Sequence, residues 1–176
     1  NSRYSFELKY EDEKEIIAVT DKSSGESFII PEETFVDESY SIMSIYPTEN
    51  YLYYMKGRNS GVSIYRIKLS DMTREEIIKS SDTADKSILG LTFSWSDTEN
   101  RFSAVRLFTD EKNIYLIDKN GMVFVLNPFA EKITDCTCII EESVLGGCIF
   151  DGKAIYYIDE DGVQKMYNVV NKTFRI

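Results

Sequence analysis

Lys153-Ala154-Ile155-Tyr156-Tyr157-Ile158-Asp159, followed by Asp161-Gly162, is the stretch on which the reading of this chain turns. It recurs. Lys112-Asn113-Ile114-Tyr115-Leu116-Ile117-Asp118, followed by Asn120-Gly121, is the same phrase 41 residues earlier (114 to 155). Asn50-Tyr51-Leu52-Tyr53-Tyr54-Met55, followed by Ser60-Gly61, is a third copy, 62 residues before the second (52 to 114). Lys14-Glu15-Ile16-Ile17-Ala18-Val19-Thr20, with Ser24-Gly25 after it, is a fainter fourth.

Each copy continues alike. A second β-rich run follows the glycine at 26–30, 62–69, 122–127 and 163–170, and a further strand precedes each copy at 4–9, 41–46, 102–108 and 144–150. A short closing strand is clearest at 75–78 and 172–176. Four strands per repeat, at a period near 40 residues, are the sequence mark of propeller blades. The expected fold is therefore all-β: a β-propeller-like array of about four four-stranded antiparallel repeats. It is either a four-bladed ring or part of a larger propeller. The expected organisation is one domain over 1–176, with repeats at about 3–37, 41–78, 101–140 and 143–176. Asn120-Gly121, Asp161-Gly162 and Asp151-Gly152 predict tight hairpin turns of the I′ type, with glycine at positive φ. The best helical stretch, 72–79, pairs Glu75 with Lys79, but the repeat alignment makes it strand.

The gap between the second and third copies breaks the period and holds an insertion at about 79–100. Its residues 79–86 read as loop and 89–95 as an extra strand, turned back by Asp97-Thr98-Glu99-Asn100. It carries Phe93 and Trp95, which share a face if the stretch is a strand, and Trp95 is the single tryptophan of the chain. Extra residues in a repeat array usually map to one face, often the binding face. Phe93 and Trp95 are therefore the expected partner-binding residues, against the plainer reading that they pack the insertion onto a blade.

The phrase K-x-I-Y-Y-I-D-x-D-G, with Ser63-Ile64-Tyr65-Arg66-Ile67-Lys68-Leu69, resembles blades of the bacterial TolB-like and YWTD-like propellers. The resemblance covers the chain well from about residue 41 onward. It implies a protein-binding scaffold and a lean to a cell-surface or extracytoplasmic location. Such propellers commonly have more blades than the four counted here. That leaves a four-bladed closure, further repeats that complete a larger ring, or self-association. Closure by an N-terminal strand joining the last blade would use 4–9.

Composition bounds the chemistry. The 176 residues are 43% hydrophobic and 13% aromatic, with 12 Tyr and 10 Phe, a bias that suits strands. A net charge of −10 repels polyanions, so nucleic acid is not an expected partner. The acidity suits solubility or, more sharply, a cationic partner or Ca²⁺. No segment reaches the apolar length of a membrane helix. The chain opens on Asn1 and not on Met, so its ends say nothing of targeting.

Histidine is absent, which removes Ser-His-Asp and Cys-His catalysis and imidazole zinc sites. Paired carboxylates such as Glu75-Glu76, Glu141-Glu142 and Asp159-Glu160-Asp161 leave one enzymatic alternative, a carbohydrate-active propeller with an acid–base pair. Asp159-Glu160-Asp161-Gly162 opens like a calcium loop, but Val170 stands where an EF-hand needs its last carboxylate, so a hairpin turn is expected. Cys136, Cys138 and Cys148 form no disulfide framework and read as buried, inert thiols. Asn171-Lys172-Thr173 matches a glycosylation sequon. The expected function is a non-catalytic binding or scaffold module for a protein or small ligand, with no cofactor.

Overall fold

Runs of alternating or continuous Ile, Tyr, Val and Leu, broken by Asp, Asn and Gly, set both the strands and their turns. The computed structural model describes residues 1–11, 14–30, 41–58, 61–78, 104–118, 120–129, 137–144 and 147–176. Among them the regular structure is all strand. The first sheet holds β1 (Tyr4–Glu11), β2 (Lys14–Asp21) and β3 (Ser27–Ile30). The second holds β4 (Ser41–Pro47), β5 (Tyr51–Arg58), β6 (Gly61–Lys68) and β7 (Thr73–Ile78). The third holds β8 (Ala104–Thr109), β9 (Ile114–Asp118), β10 (Val123–Leu126) and β11 (Thr137–Ile140). The fourth holds β12 (Cys148–Phe150), β13 (Ala154–Ile158), β14 (Gln164–Asn168) and β15 (Thr173–Arg175). Consecutive strands pair antiparallel throughout. No helix among the described residues is long and apolar enough to cross a membrane.

Three apolar layers join the four sheets in a row. Tyr4, Ile17, Val19 and Ile30 of the first meet Ile42, Leu52, Tyr54 and Ile67 of the second. Tyr53, Met55 and Ile64 on the other face of the second meet Leu107, Ile114 and Leu116 of the third. Phe108, Tyr115 and Ile117 on the other face of the third meet Phe150, Ile155 and Tyr157 of the fourth. The repeated phrase is thus explained. A continuous apolar strand is what a sheet buried on both faces requires, since successive side chains point to opposite sides. Leu52, Tyr53, Tyr54 and Met55 are all fully buried, and each such side chain contributes about 1.5–3 kcal/mol. Arg66 adds a polar tie between sheets. Its guanidinium lies 4.9 Å from the Tyr51 ring and 4.7 Å from the Phe129 ring, and binds Glu75 at 2.7 Å.

The row does not close. No apolar layer among the described residues joins the fourth sheet to the first. Nor does β1 add to the last sheet, as closure by 4–9 required. It pairs along its whole length with β2.

The first repeat also differs from its sequence reading. In the later sheets the second strand follows a capping side chain that accepts a backbone N–H three residues on. Thr48 caps Tyr51 at 3.0 Å, Asp110 caps Asn113 at 2.7 Å and Asp151 caps Ala154 at 2.8 Å. Asn1 caps Tyr4 in the same way at 2.8 Å. Asn1 also donates to the Thr48 carbonyl at 2.8 Å, so the two caps are neighbours. β1 is therefore the counterpart of β5, β9 and β13, and β2 that of the third strands. The apolar run 14–20 resembles a second strand because Ile16 and Ala18 make its outer face apolar as well, although only Ile17 and Val19 pack against the second sheet.

The hairpin turns differ in type. Gly121 and Gly162 are at positive φ, 86° and 79°, as expected. Asn120 and Asp161 are not, so these are not I′ turns. The Gly162 N–H donates to the Asp159 carbonyl at 3.1 Å, and the Asp159 N–H to the Val163 carbonyl at 3.1 Å. That is a three-residue loop closed by a left-handed glycine in a bulge. Gly152 (φ 89°) and Lys153 lie between Asp151 and Ala154, with positive φ at the glycine alone, the pattern of a II′ turn.

Candidate functional site

The strands run so that each sheet has two unlike ends. One end carries the caps at Thr48, Asp110 and Asp151. The other carries the turns between second and third strands and the linkers from sheet to sheet. Sheets two and three share this orientation, because Asn50 donates to Glu111 across their cap ends at 3.5 Å. Sheets three and four share it too, since the Val144 N–H donates to the Gly121 carbonyl at 3.0 Å on the linker side.

On the linker side, between the third and fourth sheets, lies a cleft of about 490 Å³. Glu141 and Glu142 come from the linker, Asp159, Glu160 and Asp161 from the β13–β14 turn, and Lys165 from β14. Five carboxylates thus face one ammonium. The Lys165 Nζ bridges Glu142 at 2.5 Å and Asp159 at 2.8 Å. The Tyr157 hydroxyl donates to Glu142. Lys165 and Tyr157 hold the Glu142 carboxyl below its ordinary value, and Lys165 with the Val163 N–H does the same for Asp159. The two carboxylates push the Lys165 ammonium upward in turn.

The calcium-loop opening is therefore a turn. Asp159 Oδ1 accepts the N–H groups of Asp161 at 3.0 Å and Val163 at 2.8 Å. Asp118 accepts those of Asn120 and Met122 in the same register. Among the described residues no group of three acidic or thiol side chains could hold a metal ion. Cys138 and Cys148 are free, and burial pushes the Cys148 thiol up to about 11, so it stays protonated at neutral pH. Cys136 lies outside the described residues.

Phe93 and Trp95 lie outside the described residues, as does the whole of 79–103. The strands that flank this insertion are described. β7 ends at Ile78, opposite Ile64 in β6, and β8 begins at Ala104, opposite Asp118 in β9. Both points are at the linker end of their sheets. The insertion therefore leaves and re-enters the array on the side that carries the acidic cleft. Sequence reasoning missed the cleft itself, because it is assembled from three segments whose separation the sequence does not show.

A second cleft, of about 450 Å³, opens between the third and fourth sheets beside Tyr115, Val125, Tyr167 and Phe174. A third, also about 450 Å³, lies at the cap end of the first three sheets, lined by Arg3, Glu49 and Lys68 with Glu111 from the β8–β9 turn.

No family model and no curated protein matches the sequence. Solved structures do match the fold. TolB from Acinetobacter baumannii superposes with a TM-score of 0.57 at 14% identity, over 98% of this chain and 40% of that one. A chain of the nidogen/laminin complex superposes with a TM-score of 0.52 at 12% identity, over 99% of this chain and 60% of that one. The class so defined is the β-propeller fold, in agreement with the TolB-like and YWTD-like resemblance of the repeats. The chain spans less than two thirds of the length of either structure.

Proposed function

We propose that residues 1–176 form one non-catalytic binding module that presents its linker side to a protein or small ligand, with Phe93 and Trp95 as anchors. One observation supports this above the others: the insertion that carries both aromatics leaves and returns on the side of the acidic cleft. A partner with a cationic patch fits a surface of five carboxylates and one ammonium. An extracytoplasmic location goes with the resemblance and is part of the same proposal.

The carbohydrate-active alternative finds no support in the best-placed pair. A glycosidase needs one carboxyl kept protonated as general acid. Glu142 and Asp159 share the Lys165 ammonium and are both held ionised.

Trp95 makes the test direct, since its fluorescence is the only indole signal of the chain. An anchor waiting for a partner emits as a solvent-exposed indole and is quenched by iodide. Trp95→Ala then leaves the melting temperature nearly unchanged and weakens partner binding by at least about 1–2 kcal/mol. A blue-shifted, unquenchable indole, with a stability loss of roughly 3–5 kcal/mol on the same substitution, would show packing instead and end the proposal.

A further inference from the structure

The layer between the second and third sheets and the layer between the third and fourth carry equivalent tyrosines, Tyr53 and Tyr115, and differ beside them. In the second sheet Arg66 stands opposite Tyr53 on one side and Glu75 on the other. Its guanidinium reaches across to the Phe129 ring, is held by Glu75, and fills the space between the sheets. In the third sheet the same places in the register hold Val125, opposite Tyr115, and Thr137. Both side chains are too short to reach the fourth sheet. The cleft of about 450 Å³ beside Tyr115 and Tyr167 is the space they leave. Asn113, which Asp110 caps, lines it too, so it opens at the cap end, away from the linker side.

The size of this cleft lies within the roughly 300–1,000 Å³ of small-molecule sites. Its walls are apolar, since Val125, Ile139 and Val169 are only partly buried against the core of the layer. The Tyr167 and Phe174 rings meet at 4.7 Å, and Phe174 is 54% exposed, so a flat ring can stack beside them. Tyr167 is 6% exposed, yet its hydroxyl has no hydrogen-bond partner among the described residues and is not sealed in the core as that of Tyr53 is. A nearly buried donor is normally satisfied. Burial pushes this one above the ordinary phenol value, so it stays a proton donor at neutral pH. Lys172, in the β14–β15 turn, is the single charged residue among those that line the cleft, and no carboxylate among the described residues pairs with it. Of the three clefts this one alone has a net positive lining, in a chain of net charge −10. An aromatic ring fits its walls, and an anionic oxygen fits Tyr167 and Lys172.

We propose that the cleft between the third and fourth sheets binds a small aromatic carboxylate, its ring between Val125 and the Tyr167–Phe174 pair and its carboxylate accepting from the Tyr167 hydroxyl and from Lys172. The site is separate from the linker-side surface and does not rest on it. Isothermal titration calorimetry of the 176-residue chain with trans-cinnamate tests it, against cinnamylammonium, of like shape and opposite charge. The expected result is one-to-one binding of the carboxylate, with the cation at least about tenfold weaker. Tyr167→Phe removes the hydroxyl alone, and Lys172→Asn suits the positive φ (55°) of that turn. Each is expected to weaken cinnamate binding about threefold or more. Val125→Arg with Thr137→Glu copies the Arg66–Glu75 pair into the cleft and is expected to abolish binding with an unchanged far-UV spectrum. The proposal is overturned if cinnamate does not bind at millimolar concentration, or if the cation binds as well. It is overturned too if affinity is unmoved by both Tyr167→Phe and Lys172→Asn. Binding that survives in a folded Val125→Arg, Thr137→Glu chain would place the ligand elsewhere, with the same consequence.

Discussion

Gly121 and Gly162 occupy the same place in two equivalent turns and differ in what surrounds them. Both have positive φ, where a Cβ costs about 1–2 kcal/mol. A Cβ on Gly162 would meet open space, whereas one on Gly121 would stand 2.9 Å from the Ser143 Cα. Gly162→Ala is therefore expected to lower stability by about 1–2 kcal/mol in urea unfolding, and Gly121→Ala by clearly more, with the 141–144 linker displaced. The turn aspartates give a second expectation. Lys165 and the Val163 N–H hold the Asp159 carboxyl below the ordinary value, the Thr73 hydroxyl and N–H hold Asp71 at about 2, and the N–H groups of Lys153 and Ala154 hold Asp151 down. A folded-state pKa below the unfolded one adds stability that is present above about pH 4 and is lost as pH falls. Stability should therefore decline from about pH 4 toward pH 2, where Asp71 protonates, and a Tm series in that window reads it. Asn120-Gly121 suggested a two-residue turn, yet the better signal was the aspartate three residues before each glycine. Asp118 and Asp159 accept the N–H groups of a three-residue loop, and a dipeptide rule does not see that far.

At the scale of the strand, the repeated phrase placed β5, β9 and β13 because apolar residues on both faces are a strong and specific signal. The same signal misplaced the first repeat. Residues 14–20 are apolar on both faces as well, and what marks a second strand is the cap before it, which in the first sheet is the unremarkable Asn1. Ile117 and Ile158 provide a paired test of burial on equivalent strands. Ile117→Ala, in a layer between sheets, should cost about 2–5 kcal/mol. Ile158→Ala should cost far less in the isolated chain, because its side chain already meets water. Equal losses would show that the fourth-sheet face is covered in solution. The acidic cleft was illegible for a different reason. Glu141-Glu142 and Asp159-Glu160-Asp161 each look like solvated turns, and only the fold sets Lys165 between them.

For the whole molecule, nearest-neighbour packing is the governing fact. Among the described residues each interior sheet serves two apolar layers and each end sheet one. A large-to-small change in the second or third sheet, such as Leu116→Ala, should therefore loosen two neighbours together, while the same change in an end sheet should leave the rest folded. Hydrogen exchange resolves the difference, with protection lost across the array in one case and locally in the other. Because the three layers join the sheets end to end, and no apolar layer among the described residues joins the last sheet to the first, tension drawn between the two end sheets passes through every layer in turn. A closed ring would share such a load by two routes. The described residues of this array offer one route, so its mechanical strength is that of its weakest layer, and pulled from its ends it should come apart sheet by sheet.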